Sequence, residues 1–286
     1  QAQKLRNYFE TCFSNPRKVH PKRFVWDYWN IPNQYTLLRT PAYEFFPQQI
    51  YKSFHQALVK WGRNNLGCHD ISPPWLSCYV DGCHQNFHGD LPHGPWAYVF
   101  SLTPKSNKNY TGGETVLLKD EILSYWDSQP QFKGLEQEDL FIKVKPHFNQ
   151  LTIFDPRIPH SVATVKGPQN VCEGRLVIHG WFVEPRPFIE GPLSRPDLQK
   201  AIGFMSTFLG DFMKQITMDG VMSLSFKVGA NGKNSQIKVL TNTLRSPEPE
   251  SIDFIFNALA HFWSEYPFPK QKGQSKVTLP VIFHST

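Results

Sequence analysis

No stretch of this 286-residue chain approaches the ~18 apolar residues that a membrane-spanning helix requires. No block of Lys and Arg reads as a nucleic-acid tract, and a formal net charge of +6 gives only a slight preference for acidic partners. The five cysteines (Cys12, Cys68, Cys78, Cys83 and Cys172) are scattered, odd in number and without a C-x-x-C pair. That excludes a zinc-ribbon signature and a clear disulfide framework, and points to a reducing, cytoplasmic setting. G-x-S-x-G is absent, which argues against Ser-His-Asp hydrolysis. Phosphate-loop and dinucleotide fingerprints are absent too. The chain begins at Gln1 and not at Met, which leaves room for a preceding segment.

What the chain has in quantity is aromatic surface. Its 23 Phe, 10 Tyr and 8 Trp suggest large cores or an aromatic-lined cleft. Helical spacing predicts a short helix over Gln3–Phe13 and a longer one over Pro41–Trp61, where Phe46, Ile50, Phe54, Leu58 and Trp61 recur, with a glycine cap at Leu66-Gly67. Val25-Trp26-Asp27-Tyr28-Trp29 reads as an aromatic cluster at a core edge. From Trp75 onward the text changes to short strands: Trp75–Val80, Asn86–Asp90, Trp96–Leu102, Glu114–Leu118, Leu140–Pro146, Gln150–Phe154, His160–Val165 and Arg175–Phe182. So many strands with turn signals between them predict a double sheet or barrel. Residues 119–139 form an acidic, aromatic insertion, read as a helix or a lid, and Asn109-Tyr110-Thr111 is a glycosylation sequon of the kind that arises by chance. Four prolines crowd residues 184–197, a stiff boundary. Beyond it come a helix over Asp197–Ile216, a hairpin of Val221–Val228 and Ser235–Leu240 turning at Ala230-Asn231-Gly232-Lys233, a helix over Pro247–Phe262 and a strand over Val277–Phe283. The expected fold class is therefore mixed α/β (α+β). Residues 1–190 form a first domain with N-terminal supporting helices and a core at about 75–183, and residues 198–286 form a small α+β domain.

The chemistry centres on Phe87-His88-Gly89-Asp90. On a strand, side chains alternate between faces, so His88 and Asp90 point one way. An imidazole and a carboxylate converging on one point make two-thirds of the 2-His-1-carboxylate set that holds Fe(II) and leaves positions open. The third ligand is expected from a later, neighbouring strand. His160 opens such a strand after a Pro-containing turn, 72 residues beyond His88. Arg175, Val177, His179 and Trp181 share one face of the next strand. An arginine facing into a barrel is costly unless it meets an anion, and its planar fork suits a carboxylate. A dicarboxylate co-substrate would give one carboxylate to Arg175 and the other to the metal. His84, His93 and His147 fall outside this pattern, with His93 close enough in sequence to line the site mouth.

These motifs, in this order, resemble the Fe(II)/2-oxoglutarate-dependent dioxygenase superfamily in its prolyl-4-hydroxylase-like branch. The likeness runs from Leu76 to Phe182: Ser77-Cys78-Tyr79 leading to Phe87-His88-Gly89-Asp90, Tyr110-Thr111-Gly112-Gly113-Glu114-Thr115, Pro159-His160-Ser161-Val162, and Gly174-Arg175 through Trp181-Phe182. The resemblance implies a double-stranded β-helix (jelly-roll) core. It implies His88, Asp90 and His160 as iron ligands and Arg175 as the partner of the distal 2-oxoglutarate carboxylate. Tyr79, Tyr98, Thr115, His179 and Trp181 are implied as secondary co-substrate contacts, with O2 as the second co-substrate and ascorbate as a supporting reductant. This chain departs from the pattern in three places. Ser101 stands nearest to where the branch often has a co-substrate Tyr, Lys166–Glu173 lengthens the interval between His160 and Arg175, and His179 replaces a small or hydroxylated residue. A carboxylate at Asp90 leaves no site for halide, which favours hydroxylation over halogenation. The expected substrate is a peptide or protein side chain. A free amino acid or small metabolite is the alternative, and an iron- and 2-oxoglutarate-binding sensor the third reading. Residues 216–283 resemble the C-terminal domain of TonB-type energy transducers, which implies a protein partner there.

Overall fold

The computed structural model describes residues 1–90, 93–104, 110–119, 122 and 140–284. The predicted insertion at 119–139 and the loop Lys105–Asn109 therefore lie almost wholly outside the described residues. The chain divides into two compact units, Gln1–Ala57 with Ile71–Val183, and Leu58–Asp70 with Glu184–Thr286.

The first unit opens with α1 (Ala2–Phe13), which buries Leu5, Phe9 and Cys12 at helical spacing. Arg6 lies on the same buried face, its charge met by Glu10 at 2.8 Å and its fork by the carbonyls of Leu102 and Cys172. Two strands follow, β1 (Asp27–Ile31) and β2 (Tyr35–Pro41), paired antiparallel. The single helix expected over Pro41–Trp61 is two: α2 (Ala42–Phe45) and α3 (Gln48–Asn65). The break is Pro47, whose ring disfavours helical geometry in the residue before it. Phe46 accordingly sits at φ −77°, ψ 146°.

The later strands are β3 (Cys68–Ile71), β4 (Trp75–Tyr79), β5 (His84–His88), β6 (Trp96–Ser101), β7 (Thr115–Leu118), β8 (Phe141–Val144), β9 (Gln150–Phe154), β10 (His160–Val162) and β11 (Arg175–Pro185). They form an antiparallel, nearly closed jelly-roll barrel in the order β8-β7-β10-β5-β2-β4-β11-β6-β9. Alternation decides which side chains enter it. On β4 and β11, Leu76, Leu176, Ile178 and Phe182 are fully buried in apolar surroundings. Each such side chain contributes about 1.5–3 kcal/mol. Ser77, Tyr79, Arg175, Val177, His179 and Trp181 take the opposite face.

The strand carrying the His-x-Asp motif differs from expectation. β5 runs His84–His88 and stops there, so Gly89 and Asp90 lie beyond it. Strand alternation is not what aims Asp90. Its backbone N–H donates to the Pro156 carbonyl at 2.9 Å, which ties it to the turn before β10.

The second unit holds β12 (Phe188–Glu190), α4 (Arg195–Met213), β13 (Gly220–Val228), β14 (Asn234–Asn242), α5 (Glu250–Glu265) and β15 (Ser275–Phe283), with sheet order β12-β15-β13-β14. Ser194 caps α4 by accepting from the Asp197 N–H. The core is built on Trp263, which stacks on Phe226 at 4.7 Å and on Phe268 at 6.2 Å. The hairpin turn requires Gly232: it sits at φ +81°, and a Cβ there would fall 1.9 Å from the Phe268 carbonyl oxygen.

Candidate metal and co-substrate site

His88 and His160 are register partners across β5 and β10, with ring centroids 4.3 Å apart. Each Nδ1 lies 2.8 Å from the carbonyl oxygen two residues earlier, Asn86 for His88 and Ile158 for His160. Those contacts put the proton on Nδ1 and leave each Nε2 with a lone pair, the tautomer a metal ligand needs. Asp90 reaches both rings, its Oδ1 3.6 Å from His88 Nε2 and its Oδ2 3.3 Å from His160 Nε2. One ligand atom from each of the three lies within 4.8 Å of the others, a group that could hold a metal ion. Two imidazoles and one carboxylate, with the remaining directions open to a cavity, suit Fe(II). Burial lowers the His88 pKa and keeps its ring neutral. Burial alone would raise the Asp90 pKa, but the two histidines beside it outweigh burial, and the carboxyl is held below its ordinary value.

The three residues line a cavity of about 450 Å³ that also receives Tyr79, Thr115, Arg175, His179 and Trp181. Tyr98, also expected there, is placed otherwise: it pairs in register with Gly180 and packs its ring on Phe182 at 5.2 Å, on the other face of the sheet from Arg175 and His179. Arg175 is 1% exposed, with Nη2 donating to Thr115 Oγ1 at 3.2 Å and its guanidinium 4.6 Å from the Tyr79 ring centroid. Its Nε is buried without an acceptor, and no described carboxylate pairs with it. A buried cation in that state fits an anion from outside the chain. His179 Nε2 meets Ser77 Oγ at 2.8 Å. Burial first, then the charge of Arg175, pushes its pKa down to about 3, so it stands neutral.

The two glycines of Thr111-Gly112-Gly113-Glu114 have a steric reason. Both sit at positive φ; a Cβ on Gly112 would lie 1.8 Å from the Thr164 carbonyl oxygen, and one on Gly113 would lie 2.1 Å from the Tyr110 hydroxyl and 3.1 Å from Arg175 Cδ. They bring the chain against the arginine with no side chain between.

Other residues enter the site without having been singled out. Tyr110 packs beside Arg175 with its hydroxyl buried and without a partner. Gln85 lies 3.0 Å from His88 Nε2, and Arg39 lines the cavity from β2. His93 stacks on Trp181 at 4.4 Å, consistent with a place at the mouth. Ser101, the position compared with the branch's co-substrate Tyr, points elsewhere: its hydroxyl binds Thr103 Oγ1 and the Pro146 carbonyl. Tyr98, the tyrosine of β6, has a buried and unpartnered hydroxyl but points to the opposite face of the strand from Val99, so it does not take that place either.

Residues 74–183 match the family model of the 2OG-Fe(II) oxygenase superfamily. No curated protein matches the chain. Similar solved structures include a Pseudomonas putida prolyl-4-hydroxylase, 15% identical over 64% of this chain and 87% of that one, with a TM-score of 0.41. A Trichoplax adhaerens prolyl hydroxylase, solved with a hypoxia inducible factor oxygen degradation domain peptide fragment, is 17% identical over 63% of this chain and 75% of that one, at 0.37. A 2OG-Fe(II) oxygenase family oxidoreductase from Burkholderia pseudomallei is 13% identical over 54% of this chain and 62% of that one, at 0.34.

Proposed function

Taking residues 74–183 as a 2OG-Fe(II) oxygenase domain, we propose that the enzyme hydroxylates an unactivated C–H bond on a peptide or protein side chain. In this reading His88, Asp90 and His160 are the iron ligands, and Arg175 receives the distal carboxylate of 2-oxoglutarate. The observation that carries it is the meeting of the three ligand atoms and an unpaired, buried arginine in one cavity. When bound, Fe(II) with 2-oxoglutarate and O2 supplies the oxidant: the co-substrate becomes succinate and CO2, one oxygen atom enters succinate and the other enters the substrate C–H bond.

The chain's own residues do the rest. His88 and His160 present fixed Nε2 lone pairs because their Nδ1 atoms are held by carbonyls. Asp90 supplies the anionic ligand. Arg175, flanked by Tyr79 and Thr115, orients the co-substrate through its terminal carboxylate. Trp181, Phe154 and Val177 give the space its apolar wall. Ascorbate would act as a supporting reductant from solution.

Anaerobic Fe(II) plus 2-oxoglutarate is expected to give a metal-to-ligand charge-transfer band in the wild type and none in His88→Ala. Substrate-dependent succinate release separates catalysis from sensing. An absent band in the wild type, or an unchanged one in the variant, rejects the assignment. The same chemistry on a free amino acid or small metabolite is the second reading, favoured by the second cationic side chain in the cavity.

The strand–strand–helix–strand run of β13, β14, α5 and β15 supports the comparison of residues 216–283 with a TonB C-terminal-like domain. In that reading β14, at the sheet edge, docks a protein partner by strand addition. The five free cysteines support a cytoplasmic, reducing setting.

A further inference from the structure

The cavity contains a second guanidinium besides that of Arg175. Arg39 projects from β2, with its Cζ 3.2 Å from the Trp29 ring centroid and 4.2 Å from that of Trp75. Both faces of the fork are therefore covered by indoles, which leaves only its edge of N–H donors for bonding. Its Nε is buried without an acceptor, and no described protein group accepts from its other nitrogens. Asp27, its register partner on β1, makes no ion pair with it.

Charge sharpens the point. Asp90 is the one carboxylate among the described lining residues, and it belongs to the metal group. Two guanidiniums, a divalent ion, Asp90 and a doubly charged co-substrate leave one positive charge over. Position makes Arg39 that remainder. Arg39 faces Ser77, which faces Val177, whereas Arg175 faces Tyr79, so the two arginines sit two strands and two residues apart. That is about 10 Å across the sheet and about 7 Å along it. Both carboxylates of the co-substrate are already accounted for, one at Arg175 and one at the metal.

Resting on the oxygenase reading above, we infer that Arg39 is the specificity residue for the substrate to be oxidised, and that this substrate carries a carboxylate which docks edge-on against the Trp29–Arg39–Trp75 stack. The carboxylate comes from a free amino acid or from an acidic side chain of a peptide. Its body then runs past His179, around which Arg39, Arg175, Asp90 and His88 are all grouped.

The test uses full-length protein labelled with ¹⁵N-arginine and loaded with Zn(II) and N-oxalylglycine, which occupies the co-substrate position. The Arg39 Nε–H resonance is assigned by its loss in Arg39→Lys. Titration with free L-amino acids, their methyl esters, and amide-capped peptides with an internal Glu is expected to shift that resonance saturably for carboxylates only. Shifts from amino acids alone identify the small-molecule source, and shifts from the capped peptides identify the side-chain source. Arg39→Met is expected to weaken binding of the responding carboxylate by about tenfold to a hundredfold, the worth of a charge-assisted hydrogen bond, and to leave N-oxalylglycine affinity unchanged. Esters that bind as well as acids overturn the inference, as does an Arg39 resonance that no carboxylate moves. A shift caused by N-oxalylglycine itself also overturns it, by giving Arg39 to the co-substrate. Loss of metal or N-oxalylglycine binding in the wild type instead rejects the oxygenase reading, and this inference with it.

Discussion

His88 and His160 face each other across two strands with ring centroids 4.3 Å apart, and each holds its Nδ1 on the carbonyl two residues upstream. The same device, used twice, presents two Nε2 atoms at one point. Replacing either ring by alanine is expected to lower Fe(II) affinity by more than the ~10–100-fold that losing a metal ligand's hydrogen-bond partner costs. Anaerobic metal titration checks it, with circular dichroism to confirm the fold. A variant that retains full affinity would remove that histidine from the ligand set.

Arg175 faces a different demand, because its charge is buried and no described carboxylate pairs with it. Arg175→Met is expected to raise the KM for 2-oxoglutarate about tenfold to a hundredfold, in line with the loss of a charge-assisted pair. Arg175→Lys should recover part of it, since a point charge remains without the planar fork. An unchanged KM in the methionine variant would contradict the assignment.

Gly113 offers a test that does not touch a charged group. A Cβ there meets the Tyr110 hydroxyl at 2.1 Å and Arg175 Cδ at 3.1 Å, on a backbone at φ +72°. Gly113→Ala is expected to destabilise the protein by about 1–3 kcal/mol. It should also raise the KM for 2-oxoglutarate by displacing the arginine. Chemical denaturation reads the first effect and steady-state kinetics the second.

The metal-free protein should lose stability in acid partly through His179. Its pKa is about 3 in the folded chain against an ordinary value of 6.5, with burial as the main cause and Arg175 next. The unfolded chain therefore binds the proton more readily. The contribution is fully present above pH 6.5 and is lost as pH falls toward 3. His179→Gln should flatten the dependence of the urea midpoint on pH in that window. Equal slopes for wild type and variant would show that His179 does not report the folded environment.

The candidate metal group of His88, Asp90 and His160 could be read from sequence because its signals are short and local. His-x-Asp, the Pro-His of residues 159–160 and the arginine of β11 each sit on or beside a strand whose alternation is plain. Asp90 shows the limit of that logic. The motif reads as one continuous strand, whereas its aspartate is aimed by a hydrogen bond to Pro156, a contact 66 residues away in sequence. The strands β1 and β2 were not foreseen, because Pro, Asn and aromatic residues in 25–41 give no clean alternation. With them went Arg39, whose partners Trp29 and Trp75 come together only when β2 pairs on both sides. Tyr110 was hidden for a similar reason: it belongs to an irregular loop that the two glycines fold back onto Arg175.

The tether between Asp90 and Pro156 has a further consequence. Together with the β5–β10 ladder and the Asp155–Arg157 pair that braces the same turn, it holds His88, Asp90 and His160 in place with no ion bound. Metal loading then does not have to organise the chain, unlike the small zinc domains that fold only on binding. Chelation should strip the ion reversibly and leave a folded apoprotein. A frame fixed by hydrogen bonds also has little means of telling one divalent first-row ion from another. Such a site takes Mn(II), Co(II) or Zn(II) with affinities set by the ions' own order. On the iron-ligand reading, supply and not the frame would then decide which ion is bound, and zinc is expected to compete with iron for the site.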